Sequence, residues 1–591
     1  MDSFRLFCEK VNAFIGASTF GRVFRLEGCG HEKEIKNARF TTEIRAGLTT
    51  FFTMAYVISV NASILADTGG NCVCNDANDP LCMKNQEYAA CVQDLNRSLI
   101  TATAAITGFS SVLFGFLTNM PVALAPGMGL NAYFAYQVVG YHGSGAVSYN
   151  LALTAVFIEG FIFIGLSLIG MRQWLVKVIP TSLKIATACG IGLFLALVGL
   201  SNDIGIGAIS GAKSTPLELA GCADQYRDEF GRCTSHTMTS PTLWIGLTCG
   251  GIVTAYLMMY KIKSAMIVGI LIVSITAWPR GTDVTYFPND QIGDERWEYF
   301  KRVAYFHPIN HTLNTLDWNI RQHTSHFVLA LFTFLYVDII DCTATLYSMA
   351  RFCGAVDPED GDFPRSTLAY CTDAFCISVG ALLGVSPVTA YIESGAGIAE
   401  GGKTGLTAIT TGFCFIMAMF FAPIFASIPP WATGSTLVIV GCLMMRQVTS
   451  INWRYIGDAI PAFVTLMFIP FSYSAAYGLI AGLMIYTTLN GMVYLTQLIS
   501  GGRAVPDDAD AREYWSIKPG GRDPWFIRAG QDISDRFSPK RKADGASVRS
   551  GASSWHHERI GSKGSNREMH TMTIKPNDPT DPRLEKVLRK L

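Results

Sequence analysis

Apolar stretches of membrane-crossing length, separated by short polar connections, run from about residue 43 to about residue 498. They lie near 43–66, 98–119, 121–139, 150–171, 178–200, 242–260 and 262–279. A second series lies near 327–350, 369–386, 387–401, 404–426, 431–447, 455–472 and 474–498. A helix needs about 20 mostly apolar residues to cross a bilayer, so this pattern predicts an all-α polytopic membrane protein of fourteen segments. Two segments depart from the rule. Those at 121–139 and 387–401 are short and interrupted by Pro and Gly, which predicts broken half-spans at positions three and ten.

The two series echo each other. Phe52-Thr-Met-Ala-Tyr56-Val57 returns as Phe332-Thr-Phe-Leu-Tyr336-Val337, and Ile58 and Asn61 are matched by Asp338 and Asp341. Pro121-Val122 leads into Gly127-Met-Gly129 as Pro387-Val388 leads into Gly395-Ala-Gly397. Seven segments per half place the halves in opposite orientation, an inverted repeat whose binding site is expected where the spans break. The expected organisation is a cytosolic tail over 1–40, a first repeat over 41–279, an extracellular connection over 280–326, a second repeat over 327–500 and a largely disordered cytosolic tail over 501–591. The first 40 residues lack the apolar region of a secretory signal, so the first span is expected to direct insertion. With the N-terminus inside, the short inner connections hold Arg172, Lys177, Lys261, Lys263, Arg351, Lys403, Arg446 and Arg454. The short outer connections near 141–149, 427–431 and 472–474 hold no Lys or Arg, as the positive-inside rule requires.

Composition sharpens this picture. The chain of 591 residues is 50% hydrophobic and 16% charged, against about 25% charged for soluble domains. Its net charge of zero gives no case for nucleic acid as a partner. Cys72, Cys74, Cys82 and Cys91 follow the first span, and Cys222 and Cys233 follow the fifth. Both loops are expected outside, where disulfides persist, and no paired CxxC or His at metal spacing supports a zinc site. Asn96-Arg-Ser and Asn310-His-Thr are outer sequons, and Asn96 lies too near the membrane to be a good acceptor. No metal cluster, catalytic triad or nucleotide loop points to an enzyme.

Candidate chemistry rests on acids inside spans, because a charge in hydrocarbon costs on the order of 3 kcal/mol. They are Glu159, Asp338, Asp341, Asp373 and Glu393. Asp373 lies near the start of its span, where it is expected to face the interface. Glu159 has either a coupling role or a structural one, joining two helices by hydrogen bonds. Asp338 and Asp341 share a helix face, and two close carboxyls in low dielectric do not both ionise easily. One is expected to hold and exchange a proton, with the pair acting as a unit. Glu393 sits before Gly395 and Gly397, and Asn131 follows Gly127 and Gly129. If both broken spans present helix N-termini to one cavity, Glu393 and Asn131 flank a small polar ligand. A carboxylate that accepts ring N–H groups, and a carboxamide that donates and accepts, suit a flat heterocycle.

Glu43-Ile-Arg-Ala-Gly-Leu-Thr-Thr-Phe-Phe-Thr-Met-Ala-Tyr56, Ala125-Pro-Gly-Met-Gly-Leu-Asn-Ala-Tyr-Phe134, Glu393-Ser-Gly-Ala-Gly397 and Gly402-Lys-Thr-Gly405 resemble the AzgA-like purine permeases over roughly residues 40–500. The resemblance implies a hypoxanthine–adenine–guanine/proton symporter of the plasma membrane, multi-pass with both termini cytosolic. It implies the fold of the wider nucleobase–ascorbate transporters, in which a core domain (spans 1–4 and 8–11) slides against a gate domain (spans 5–7 and 12–14), often as a homodimer. Carried over by motif, Gly129, Asn131, Asp338, Glu393 and Gly395 bind the purine. Asp338, Asp341 and Glu393 couple the proton, with H⁺ as coupling ion and no other cofactor. The uric acid–xanthine branch has Gln where this chain has Glu393, which argues against oxidised purines. The alternatives are a uniporter, or a carrier of another small solute (uracil, xanthine or urate, or an anion) on the same fold.

Overall fold

The computed structural model describes residues 2–508, apart from 33, 74–84, 171–179, 202–204, 212–216, 224–225, 227–232, 263, 323, 357–362, 473–474, 502–505 and 507. Among the described residues, eight helices are long and apolar enough to cross a membrane: Phe40–Ala66, Gln86–Thr118, Tyr149–Ile169, Thr181–Leu200, Pro241–Met259, Thr324–Phe352, Gly405–Ala426 and Tyr477–Ile499. Shorter apolar helices span Ala265–Ala277, Ser366–Leu382 and Ile456–Ser472, and Pro430–Met445 is another. The protein is therefore a mostly helical polytopic chain whose apolar helices overlap the stretches expected from sequence, with Gln86–Thr118 beginning well before the stretch at 98–119.

The two interrupted segments are where helix gives way to strand. Leu124–Pro126 is extended, and helix Met128–Ala132 follows, continuing as a π-helical turn over Tyr133–Val139. Val388–Ala390 is likewise extended, and helix Ser394–Ala399 follows. Pro126 and Pro387 deprive the backbone of helical donors, and the freed groups need partners at membrane depth. They find each other. The strands pair antiparallel, Leu124 opposite Ala390 and Pro126 opposite Val388, and Gly127 N–H donates to Pro387 O at 2.9 Å. Side chains finish the job: Ser110 and Ser111 hydroxyls donate to Leu124 O, and Ala123 N–H donates to Ser394 Oγ at 3.0 Å.

Packing is dense within two sets of helices. In one, Gln86–Thr118 packs on Gly405–Ala418, Tyr149–Ile169 on Ser366–Leu382, and Thr324–Phe352 on Tyr149–Ile169. In the other, Thr181–Leu200 packs on Pro430–Met445 and on Ile456–Ser472, which packs in turn on Ala475–Ile499. Glycine permits the closest approach in both. A Cβ on Gly405 would lie 1.8 Å from Gly115 O, and one on Gly441 would lie 2.3 Å from Gly192 O. Small residues at helix contacts are the usual solution in lipid, where no hydrophobic force draws helices together.

Two regions outside the apolar stretches also contain helices. The N-terminal 40 residues form helices Asp2–Gly16 and Thr19–Phe24, and Phe24, Leu26 and Ala38 pack on Leu406. Their charge count concealed an apolar face. The connection over 280–326 contains helix Gln291–Phe300. Cys72 pairs with Cys91 and Cys222 with Cys233. Cys74, Cys82 and nearly all of 501–591 lie outside the described residues.

Candidate functional site

The break before helix Ser394–Ala399 makes Glu393 its N-cap residue, and Gly127 holds the matching place before Met128–Ala132. Glu393 does not cap its own helix with its side chain. Its Oε1 instead accepts from the Tyr56 hydroxyl at 2.9 Å. Asp341, on helix Thr324–Phe352, is exposed to the space beside it, and the two carboxyls act on each other electrostatically. Tyr391 completes this group: its hydroxyl donates to Pro126 O, tying one broken span to the other. The arrangement leaves Glu393 Oε2 and Asp341 as acceptors in one polar corner.

Asp338 is three residues from Asp341, which acts electrostatically on it and on Asp373, but it lies deeper. It is fully buried, and neither of its oxygens makes a hydrogen bond. The Glu159 and Asp373 carboxyls act on it electrostatically. Both of these are also fully buried, with all four oxygens unpartnered. The Thr389 hydroxyl, buried and unpartnered, lies beside Asp338 on the strand of the tenth segment. Three buried carboxyls with at most the Thr389 hydroxyl and the Cys342 thiol as donors cannot all be ionised in such surroundings, because each charge would meet a large desolvation cost and two like charges. The cluster can store and pass a proton. Glu159 is thus no hydrogen-bonding strut between helices, and Asp373 corrects the expectation that it faces the interface.

Asn131 is placed elsewhere. It is fully buried, and its Nδ2 donates to Asn61 O at 3.4 Å, while Asn61 Nδ2 donates to Thr103 Oγ1 at 2.8 Å. The Oδ1 atoms of Asn61 and Asn131 have no partner. The first half therefore supplies two carboxamides, with Asn61 at the position that Asp341 holds in the second half. Gly129 lies at the junction of the two helix sets, where a Cβ would come 2.5 Å from the Ile191 side chain. A Cβ on Gly395 would make only ordinary contacts with Phe352 and Met349.

Tyr56 and Thr103 were not singled out from sequence as site residues. The internal repeat held a signal for the first, since Tyr56 matches Tyr336 and each follows the same Phe-Thr pair. Glu43 was also passed over. It is buried, but it accepts from Thr407 Oγ1 at 2.6 Å, Lys403 N–H at 3.0 Å and Thr404 N–H at 3.2 Å. A carboxylate so well supplied with donors holds a helix start in place and is not free for ligand.

A permease family model of the xanthine/uracil type matches residues 42–480. The chain belongs to this family. Its members are transporters, not enzymes. The chain is 57% identical over 525 residues to the efflux pump notK' of Aspergillus versicolor, covering 88% of this chain and 91% of that one. It is 53% identical over 525 residues to a putative xanthine/uracil permease of Schizosaccharomyces pombe, covering 89% and 84%. The guanine/hypoxanthine permease PbuO of Bacillus subtilis is 33% identical over 466 residues, covering 77% and 92%.

Proposed function

We propose that this permease is an AzgA-type purine carrier, importing hypoxanthine, adenine and guanine with a proton across the plasma membrane. The observation that carries the reading is the pairing of two acidic sites on one helix. Asp341 faces Glu393 in an open polar corner, and one turn away Asp338 meets two further unpartnered carboxyls. Glu393, steadied by Tyr56, accepts ring N–H groups of the base. Asn131 and Asn61 offer carbonyl oxygens from the other half. The Asp338 cluster takes up the coupling proton. Protonation removes a buried charge and lowers the cost of moving the loaded site through the membrane.

Dense packing within two helix sets supports an elevator motion in which the set bearing the broken spans slides along the other, with Gly129 facing Ile191 at the junction. The fourteen-span inverted repeat, cytosolic termini and a homodimer complete the proposal. Names of bacterial relatives, such as the guanine/hypoxanthine permease PbuO, favour a purine. A second reading, outward transport of a related small molecule, has the efflux pump notK' behind it. The test is purine uptake by Asp338→Ala and Glu393→Ala. Each variant should reach the cell surface yet fail to take up hypoxanthine. Normal uptake by either removes that residue from the proposed site.

A further inference from the structure

The sequon Asn310-His-Thr312 takes no part in the transport site, and the fold fastens it beside a disulfide. Asn71 Nδ2 donates to His311 O at 2.8 Å, and the next residue, Cys72, pairs with Cys91. A second tie reaches the helix that carries Cys91: Asp94 bonds the ring nitrogens of His307 at 3.0 Å and His311 at 2.8 Å. Sequon and disulfide therefore lie on the same face of the protein. Disulfides form and persist in oxidising compartments, and N-glycans are a modification of secreted and surface chains. Asn310 itself is exposed, and among the described residues its carboxamide makes no hydrogen bond. It lies in an irregular segment well clear of the apolar helices that end at Ala277 and begin at Thr324. Asn96, in the other sequon, is the contrast. It sits within helix Gln86–Thr118, and its Oδ1 is buried in a small cavity lined by Tyr286 and Tyr299.

We infer that this face is lumenal during synthesis, and that Asn310 receives an N-glycan there while Asn96 does not. The donor is an oligosaccharide carried on a polyprenyl diphosphate. Asn310 Nδ2 attacks the anomeric carbon, and the carbon–oxygen bond to the diphosphate breaks as the nitrogen–carbon bond forms. The amide gives up one proton, and the polyprenyl diphosphate leaves. The sequon is read through its Asn and Thr together, so the Thr312 hydroxyl must be accessible at that moment. In the finished fold it is buried and donates to Leu383 O at 2.9 Å. Leu383 follows Thr312 by 71 residues, so it reaches the membrane later than the sequon does. The hydroxyl is free when the sequon first emerges, and it is sealed when the connection docks on the end of helix Ser366–Leu382. A glycan is bulky and needs a surface position. On Asn310 it projects into solvent and disturbs no packed contact. On Asn96 it would need the space that Tyr286 and Tyr299 enclose.

The test is the mobility of the full-length protein from yeast membranes on a denaturing gel, before and after digestion with peptide-N-glycosidase F. Wild type and Asn96→Gln should both run faster after digestion. Asn310→Gln and Thr312→Val should run at the digested position with or without the enzyme. A wild type whose mobility the enzyme leaves unchanged would overturn the proposal, as would a shift that survives Asn310→Gln or is abolished by Asn96→Gln. Mass spectrometry of the wild type reads the site without any variant. Digestion in heavy-oxygen water converts a glycosylated Asn to Asp carrying the heavy isotope. The label on the peptide containing Asn310 supports the assignment, and an unlabelled Asn310 overturns it.

Discussion

Replacing Tyr56 by Phe removes one oxygen and leaves the ring in place. Among the described residues, the lost bond is the one side-chain hydrogen bond to the Glu393 carboxyl, at 2.9 Å. A hydrogen bond to a charged partner contributes about 1.5–3 kcal/mol. With tenfold per 1.4 kcal/mol, transport efficiency should fall on the order of 10- to 100-fold if Glu393 must be held to receive the base. Tyr336 supplies an internal control. It occupies the matching position in the second half, it is largely buried, and its hydroxyl has no partner. Tyr336→Phe removes the same atom from the same kind of helix without breaking a bond. The assay is initial-rate uptake of labelled hypoxanthine in yeast lacking its own purine carriers, divided by surface protein. Tyr56→Phe should raise KM strongly and Tyr336→Phe should stay near wild type. Equal behaviour of the two variants, or an unchanged Tyr56→Phe, would refute the assignment of Glu393 as a positioned acceptor.

Other expectations follow from the same geometry. Asp338→Asn, permanently neutral, should keep purine exchange across sealed vesicles and lose accumulation driven by a pH gradient; full gradient-driven accumulation would move the coupling proton elsewhere. Glu43→Ala strands two backbone N–H groups and the Thr407 hydroxyl, at a cost of about 1–3 kcal/mol or more, so the unfolding midpoint of the purified protein should drop. Gly405→Ala must push apart helices that meet at the Gly115 carbonyl, costing about 1–3 kcal/mol, whereas Gly395→Ala should leave surface abundance unchanged. Cys91→Ser opens the disulfide to Cys72, a loop of 19 residues, and should lower stability by about 3 kcal/mol, read as reduced abundance at the surface.

Much of this fold was legible because lipid restricts what a chain can do. Apolar length marked the helices, and paired Pro and Gly marked both breaks. What could not be read was how freed backbone groups would be satisfied. The pairing of Leu124–Pro126 with Val388–Ala390 joins residues far apart in sequence, and period alone does not reveal it. The acids illustrate the same limit. Spacing put Asp338 and Asp341 on one face, and they do act on each other, but spacing did not reveal which further carboxyls surround them. Asp341 meets Glu393, and Asp338 meets Glu159 and Asp373. Distance from a span's end suggested that Asp373 would be superficial, and packing against Tyr149–Ile169 buries it instead. Glu43 looked like part of a signature string, and only the helix start it holds shows its structural use.

The central claim is proton-driven purine import. Its most direct test is initial-rate uptake of labelled hypoxanthine at external pH 5 and pH 8, with and without a protonophore, in yeast lacking endogenous purine carriers. Uptake should be faster at pH 5 and collapse with the protonophore. Strong uptake indifferent to both would contradict coupling through the buried carboxyls, and absence of uptake with the protein at the surface would contradict the purine.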